Sequence, residues 1–306
     1  MKPSIVFLGN HDVGVRTLDV LAECAELAAV VAHPLDPEEG VVYASVAEWA
    51  ERRGLPCLRA SGRQPQLAEF VRAHAPELLW IADYRYLLPA EVLALAPLGA
   101  VNLHPSLLPA YRGRAPVNWA ILHGERELGL SAHFVDSGTD SGDLIAQARF
   151  ALREDQDVGD ALALLYPLYE QLTRRVLRQF ERGRVRRRRQ DASRASTFPR
   201  RRPEDGAIDW ARDARSVHNL VRAVARPYPG AFTVLAGRKL HLWKARRFDF
   251  DPQAAPGTLL DATRDELVFA CGQGGLRVRD WSCGAELRPD LRSISGARAC
   301  LELEAA

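Results

Sequence analysis

The sequence predicts an α/β fold, with a doubly wound, mostly parallel, Rossmann-like sheet followed by a smaller β-rich domain. Short apolar runs alternate with helical apolar repeats through the first half of the chain. This alternation is typical of right-handed βαβ crossovers in an open sheet. Beyond residue 206 the pattern changes to pairs of short strands joined by turn residues. The 306 residues are enough for two domains.

The predicted elements of the first domain follow from apolar spacing and from length. The run from Ser4 to Leu8 is continuously apolar, as expected for a strand buried on both faces of a parallel sheet. The remaining elements are a helix through 18–25, a strand at 27–32, helices at 46–53 and 67–74, a strand at 77–82, a short helix at 89–97, a strand at 99–103 and two strands within 128–152. A long helix comes next, capped by Asp157 or Asp160, in which Pro167 is expected only near the first turn.

The second half of the chain has a different texture. We predict a first domain over 1–182, a linker over 183–206 and a C-terminal domain over 207–306. Ten arginines lie from Arg182 to Arg202, nine of them within this linker. We interpret them as a solvated face, while contact with nucleic acid or with an acidic partner stays open. A helix near Ala214 to Ala225 precedes the hairpins AFTVL/AGR/KLHLW and LVFA/CGQGG/LRVRDW, in which Trp243 and Trp281 are expected to be core residues.

The composition excludes several classes of protein. The formal net charge is only +2, so nothing global requires a polyanionic partner. The five cysteines contain no CxxC pair, which argues against a disulfide framework and a zinc knuckle, and we expect no metal. The start, MKPSIVFLGN, fits neither a secretion signal nor a membrane span, and no later run approaches twenty apolar residues. We therefore expect a cytoplasmic protein without a membrane partner.

The stretch VNLHPSLLPAYRGRAP at 101–116 carries the strongest chemical signal. Residues two apart in a strand point the same way, so Asn102 and His104 are expected to face one spot at the carboxyl end of their strand. An amide offers donors to a developing oxyanion, and an imidazole accepts a proton near neutral pH. Such a pair suits acyl transfer. From spacing alone, the alternative that both side chains only satisfy backbone groups has equal weight.

Two further motifs are weaker. The loop DSGTDSGD supplies carboxylates at Asp136, Asp140 and Asp143 that are candidates to orient the imidazole, or it is merely a turn. The motif GNHDVG has P-loop glycine spacing, but Val15 and Arg16 stand where Lys and Ser or Thr are required. We favour a tight strand-to-helix turn there, with His11 at a substrate phosphate as the alternative.

The motifs NLHPSLLPAYRGRAP and DSGTDSGD together resemble those of the folate-dependent formyltransferase family, in order, spacing and residue type over most of residues 3 to 245. The resemblance implies the formyltransferase fold with an OB-like C-terminal domain, and 10-formyltetrahydrofolate as the formyl donor. It also implies that Asn102 stabilises a tetrahedral intermediate, His104 handles the proton and Asp140 raises the pKa of the imidazole. The implied folate contacts are Tyr86, Leu87, Leu88, Arg114, Asp136, Ser137, Gly138, Thr139 and Asp140.

The segments RGRAPVNWAI and IDWARDARSVHNLVRAVARPYPGAF look most like the enzyme that formylates UDP-4-amino-4-deoxy-L-arabinose and related sugar N-formyltransferases. A nucleotide-linked amino sugar is therefore the favoured acceptor. The acidic residues Asp36, Glu38 and Glu39, after the second strand, argue against the phosphates of the alternative acceptor, initiator tRNA. The β-rich tail argues against glycinamide ribonucleotide. Hydrolysis of the formyl donor is a further alternative, and oligomeric state, sugar and nucleotide stay open.

Overall fold

The computed structural model describes residues 2–34, 43–62, 64–249, 251, 253–284 and 286–287, which form two compact units. The first unit contains the described residues up to Pro116 together with Leu128–Phe150 and Ala163–Phe198. The second contains Val117–Glu127, Ala151–Leu162 and the described residues from Pro199 onward. Two short stretches inside the predicted first domain thus belong to the second unit. The predicted linker is divided at Phe198.

The secondary structure follows the predicted alternation. As far as residue 181 the elements are β1 Ser4–Gly9, α1 His11–Cys24, β2 Glu26–Ala32, α2 Val46–Glu51, β3 Cys57–Arg59, α3 Pro65–Ala73, β4 Leu78–Ala82, α4 Ala90–Leu93, β5 Ala100–His104, β6 Arg112–Gly113, α5 Pro116–Leu122, β7 Glu127–Phe134, β8 Leu144–Ala151 and α6 Val158–Glu181. The later ones are β9 Thr197–Phe198, α7 Ala214–Ala223, β10 Ala231–Leu235, β11 Arg238–Phe248, β12 Leu259–Ala262, β13 Leu267–Ala270, β14 Gly275–Cys283 and β15 Glu286–Leu287.

The sheet of the first unit has the strand order β3-β2-β1-β4-β5-β7-β8 within the described ranges. The pairs from β3 to β5 are all parallel, and β7 runs antiparallel to β5. Ile5 to Leu8 of β1 and Leu78 to Trp80 of β4 have no exposed surface. Continuous apolar runs are required in strands covered on both faces. The predicted mostly parallel Rossmann-like sheet is confirmed.

Pro167 lies inside α6 rather than near its first turn. A proline there cannot donate the backbone hydrogen bond of an interior helical residue, at a cost of about 3 kcal/mol or more. The helix nevertheless continues to Glu181. Its apolar face explains why, since Leu165, Tyr169 and Leu172 are each at most 2% exposed. Burial of that face offsets the lost hydrogen bond.

The second unit contains an antiparallel sheet with the order β10-β11-β14-β13-β12, and β15 pairs with β14, among the residues that the structure describes. The predicted β-rich C-terminal domain is confirmed. Trp210 and Trp281 are buried in this unit. The expectation that Trp243 is also a core residue was wrong, because it is partly exposed and lies beneath the guanidinium of Arg226 at 4.3 Å.

Candidate active site

Strand β5 brings the two predicted polar side chains to the carboxyl edge of the parallel sheet. Asn102 is partly exposed and His104 is buried. Both side chains meet the carboxylate of Asp140, which follows β7. The amide nitrogen of Asn102 donates to Asp140 Oδ1 at 3.2 Å, and His104 Nδ1 lies 3.5 Å from Asp140 Oδ2. The three residues predicted to form the catalytic group are therefore in contact.

The backbone around Asp140 is unusual. Its φ is +50°, a left-handed conformation that costs a non-glycine residue free energy, although Asp tolerates it better than most. The backbone N–H of Gly113 donates to Asp140 Oδ2 at 2.9 Å. Burial acts to raise the pKa of this carboxyl, but His104, His133 and the Gly113 N–H together hold the pKa well below its usual range. Asp140 is consequently ionised at neutral pH.

The imidazole of His104 is held at both nitrogens. Its Nε2 is 2.8 Å from the carbonyl oxygen of Tyr111, and because a carbonyl only accepts, Nε2 carries a proton. Burial lowers the pKa of His104, while Asp140 and the Tyr111 carbonyl act in the opposite direction and His133 lowers the pKa further. The neutral ring thus presents the Nδ1 lone pair toward Asp140. A proton accepted at Nδ1 forms an ion pair with that carboxylate.

The sequence analysis missed His133, a second buried imidazole at this site. His133 is the direct cross-strand partner of Asn102. Its Nδ1 donates to the Phe134 carbonyl at 2.7 Å, and its Nε2 lies 3.2 Å from Asn102 Nδ2 and 3.5 Å from Asp140 Oδ1. The available signal was a polar ring in an otherwise apolar strand, directly before the DSGTDSGD loop.

The residues implied to contact folate lie in three segments. Leu87 is 72% exposed, whereas Leu88 packs against the core of the sheet and Tyr86 lies edge-on to the ring of His33. The exposed Arg114 donates to the backbone carbonyl of Arg85 at 3.1 Å. An exposed apolar side chain beside a polar main-chain segment suits a flat heteroaromatic ligand.

The loop after β7 contains the other implied folate contacts. Asp136, Ser137, Gly138 and Thr139 are all exposed. Asp136 Oδ1 accepts hydrogen bonds from the Gly138 N–H at 3.0 Å and from the Ser141 hydroxyl at 2.7 Å. This turn orders the loop, and the residues that directly precede Asp140 are open to solvent.

The turn after β1 places His11 at the start of α1, with φ of +58°. Its Nδ1 lies 2.6 Å from Asp83 Oδ2, and its ring lies 4.0 Å from that of Tyr43. Strand β1 ends at Gly9 and α1 begins at His11, which agrees with the favoured interpretation of a tight strand-to-helix turn. The acidic residues at 36, 38 and 39 lie outside the described residues.

Two features elsewhere bear on the chemistry. A surface cavity of about 210 Å³, lined chiefly by residues of α1 and α6, contains none of the predicted site residues. Within the described ranges, no cluster of three or more His, Cys, Asp or Glu side chains is arranged to hold a metal. No helix there is both long enough and apolar enough to cross a membrane.

Family models match both halves of the chain. A model described as formyl transferase matches residues 25–165, and one described as formyl transferase, C-terminal domain, matches residues 201–286. The two matches together span most of the chain, and the first contains all three residues of the group around Asp140.

Solved structures with similar folds include three kinds of protein. HypX from Aquifex aeolicus is 20% identical with a TM-score of 0.65, and the match covers 96% of this chain and 47% of HypX, so this chain spans about half its length. An N-formyltransferase from Helicobacter canadensis, solved with folinic acid and dTDP-3-aminofucose, is 15% identical with a TM-score of 0.68, covering 90% of this chain and 98% of that one. Methionyl-tRNA formyltransferase from Clostridium thermocellum is 18% identical with a TM-score of 0.53, covering 79% and 92%.

Proposed function

Since the chain belongs to the formyl transferase family, we propose that it moves the formyl group of 10-formyltetrahydrofolate to the amine of a nucleotide-linked amino sugar. The observation that carries this proposal is the contact of Asn102 and His104 with one largely buried carboxylate, Asp140, at 3.2 and 3.5 Å. An amide donor, a neutral imidazole and a fixed negative charge are the groups that attack by an amine on an acyl carbon requires.

His104 is the proton acceptor in this reaction. The amine must lose a proton as it attacks, and His104 Nδ1 takes that proton because Nδ1 carries none, while the proton on Nε2 is donated to the Tyr111 carbonyl. The charge that then develops on the ring is stabilised by Asp140. When bound, the donor would supply the formyl carbon. The bond from that carbon to the donor nitrogen would break as the tetrahedral intermediate collapses, and the departing nitrogen would take up the proton that His104 accepted. No covalent bond to the protein is needed.

Asn102 stabilises the oxyanion of the tetrahedral intermediate. Its amide nitrogen contacts Asp140 Oδ1 and His133 Nε2, each at 3.2 Å, so both of its hydrogens point at protein acceptors. Donation to an oxyanion therefore requires one hydrogen to leave its present acceptor. An imidazole nitrogen is a weaker acceptor than a carboxylate oxygen, so we infer that the contact with His133 is released while Asp140 keeps the amide in place.

The donor is held by the two segments that follow β4 and β7. Tyr86, Leu87 and Leu88 offer apolar surface and backbone groups, and Leu87 is 72% exposed and available to cover a ring. The exposed loop from Asp136 to Thr139 offers backbone N–H groups beside Asp140. Arg114 contributes by fixing the carbonyl of Arg85 and by presenting positive charge to an anionic ligand.

The amino-sugar acceptor is favoured by the extent of similarity. The Helicobacter canadensis enzyme, solved with a nucleotide-linked amino sugar, is matched over 98% of its length, with a TM-score of 0.68. The methionyl-tRNA enzyme has the lower TM-score of 0.53 and matches less of this chain. Its shared two-unit length nevertheless makes the aminoacyl end of initiator tRNA the second candidate. We place either reaction in the cytoplasm, where both nucleotide sugars and charged tRNA are found.

The decisive experiment supplies the purified chain with 10-formyltetrahydrofolate and, in parallel, initiator methionyl-tRNA and a panel of UDP-, dTDP- and GDP-linked amino sugars. We expect release of tetrahydrofolate with at least one amino sugar, and no release by His104→Ala tested beside it. Turnover of the tRNA alone would replace the sugar by the second candidate. Formate released at the same rate without any amine would identify a hydrolase.

A further inference from the structure

Gln190 lies in the segment predicted as a linker, yet only 7% of its surface is exposed. Its amide nitrogen donates to the carbonyl oxygens of Asp140 at 2.8 Å and Gly142 at 2.7 Å. These are among the shortest side-chain hydrogen bonds around the carboxylate. A buried amide with both N–H groups used on one loop fixes the path of that loop's main chain.

The orientation of the Gln190 amide is itself fixed by Arg112. The Nε and one terminal nitrogen of Arg112 both donate to Gln190 Oε1, at 3.2 and 2.8 Å. A guanidinium only donates, so the oxygen of the amide must face Arg112 and the nitrogen must face the loop. Arg112 is adjacent in the chain to Gly113, whose N–H donates to Asp140 Oδ2. The carboxylate of Asp140 is thus bound directly by Gly113, and the main chain of Asp140 is connected to the adjacent Arg112 through Gln190.

The main chain at Asp140 needs such a support. Its φ of +50° is intrinsically unfavourable, and residues in such conformations persist only where the surroundings hold them. Rotation at this residue would move the carboxylate relative to His104 Nδ1, now 3.5 Å away. Gly142, two residues on, approaches the carbonyl of Phe134 so closely that a side chain there would collide, so the loop has little freedom on that side.

Resting on the proposed function, we propose that Gln190 is a positioning residue for the formyl transfer, which holds Asp140 in contact with Asn102 and His104 through its two main-chain hydrogen bonds. Arg112 acts through Gln190 by fixing its amide. The segment around Gln190 therefore supports the residues proposed to be catalytic. Strand β9, which follows Gln190, pairs in parallel with β6, which contains Arg112.

Gln190→Met keeps the volume of the side chain and removes all of its hydrogen bonds. With Asp140 released from its present conformation, the contact that raises the pKa of His104 weakens, while burial and the neighbouring His133 still lower it. The groups that face the ring are Asp140, His133 and the carbonyl of Tyr111. The pKa of His104 in this variant is therefore expected to fall below that of the unaltered protein. Displacement of a catalytic group by about 1 Å typically lowers turnover about 100-fold.

The test is an NMR titration of the His104 ring nitrogens in the full chain without substrates, comparing the unaltered protein with Gln190→Met and with Gln66→Met, an exposed position on α3. A lower His104 pKa in Gln190→Met and an unchanged one in Gln66→Met support the proposal. An unchanged or higher pKa in Gln190→Met, in protein with a normal thermal melt, overturns it. Because no acceptor is used, this outcome is independent of whether the formyl acceptor is correctly assigned.

Arg112→Met provides the second variant, in case Gln190→Met does not fold. It should lower the pKa of His104 in the same direction and by less, since Gln190 remains but its amide is no longer fixed. Turnover should fall with little change in the KM for the formyl donor. In the double variant, Arg112→Met should add almost nothing to Gln190→Met, because it acts only through that residue. If the two substitutions reduce turnover additively, Arg112 does not act through Gln190, and that part of the proposal is overturned.

Discussion

Two groups of polar residues, one in each unit, contain similar side chains arranged in different ways. In the first unit, Asn102 and His104 converge on a third side chain, Asp140. In the second unit, α7 carries a buried imidazole, amide and guanidinium whose hydrogen bonds end almost entirely on main-chain carbonyls. The residues of this second group are His218, Asn219 and Arg222. If the proposed function holds, the destination of the hydrogen bonds, more than the type of side chain, separates the proposed reactive group from the structural one.

The contacts of the second group stabilise the main chain of neighbouring segments. Arg222 donates to the carbonyls of Gln156 at 2.9 Å and Arg153 at 3.3 Å, and to Asn219 Oδ1 at 2.9 Å. His218 Nε2 donates to the carbonyl of Ala245 at 3.1 Å. Burial and the nearby Arg222 lower the pKa of His218 to about 4. This ring is therefore neutral at pH 7. Glu154 acts to raise its pKa through its negative charge, but no carboxylate is hydrogen-bonded to the ring among the described contacts.

The largest expected effect lies in the first group. His104→Ala and Asp140→Ala should each reduce the kcat for formyl transfer by about 100 to 10,000-fold, the usual contribution of a general base. The matched change His218→Ala should leave kcat per folded molecule unchanged. Steady-state kinetics at pH 7.5, with thermal melts of all three variants, would check this. A normal rate for either first-unit variant would remove that residue from the chemistry.

The pH dependence of the first group follows from the direction of its pKa shift. The base must be neutral to act, and burial lowers the pKa of His104 below 6.5. The rate of the unaltered enzyme should therefore stay level as the pH falls through 6.5 and decline only below the lowered pKa. Asp140→Asn removes the charge that raises this pKa, so its residual activity should decline at a still lower pH. A pH-rate profile for kcat would show which of the two enzymes loses activity at the lower pH. If the activity of Asp140→Asn declined at a higher pH than that of the unaltered enzyme, the expectation would be contradicted.

A loss of stability is the expected result in the second group. Arg222→Met preserves much of the apolar stem but leaves two partly buried hydrogen bonds to main-chain carbonyls unmade and the buried Asn219 amide oxygen without this donor. The free energy of unfolding should fall by about 1–3 kcal/mol, the cost of leaving buried acceptors unsatisfied. Urea denaturation would measure it, with Arg215→Met, an exposed position on the same helix, as the control. Equal stability of the two variants would show that the buried contacts contribute nothing measurable.

The sequence was informative where local rules decide the outcome. Apolar runs identified β1, β2, β4 and β5 because strands covered on both faces must be apolar along their whole length. Period-two alternation placed Asn102 and His104 on one side of β5, and the structure brings Asp140 to them. The roles of these three residues, as implied by the resemblance, stay predictions.

Other features could not be predicted from local patterns. His133 reaches the site only through the antiparallel pairing of β5 with β7, a register that no single stretch encodes. The burial of Gln190 could not be predicted, because it lies in an arginine-rich segment. A run of charged residues indicates a solvated segment and does not show which uncharged residue within it is buried. The bounds of the compact units depend on short excursions at 117–127 and 151–162, whose contacts are distant in sequence.

The smallest expected effect compares two buried imidazoles with no proposed catalytic role. Burial and Arg85 lower the pKa of His33 to about 3, and burial and Arg222 lower that of His218 to about 4. Below pH 6.5 these two histidines become protonated in the unfolded chain but stay neutral in the folded protein. Stability is therefore lost as the pH falls, by up to about 1.4 kcal/mol per pH unit for each histidine. His33→Gln, which keeps an acceptor for the Arg85 N–H bonded at 3.0 Å, should flatten this dependence between pH 6.5 and 3.

His218→Gln should flatten the same dependence between pH 6.5 and 4, a narrower window because the folded pKa is closer to its ordinary value. Unfolding free energies measured in urea from pH 7 to 3 would compare the two variants with the unaltered chain. If the two units unfold together, each substitution flattens the single transition by about one proton. If they unfold separately, each flattens only the transition of its own unit. A slope unchanged by both substitutions would mean that neither ring is kept neutral by the folded protein, and the comparison of two neutral, buried histidines would fail.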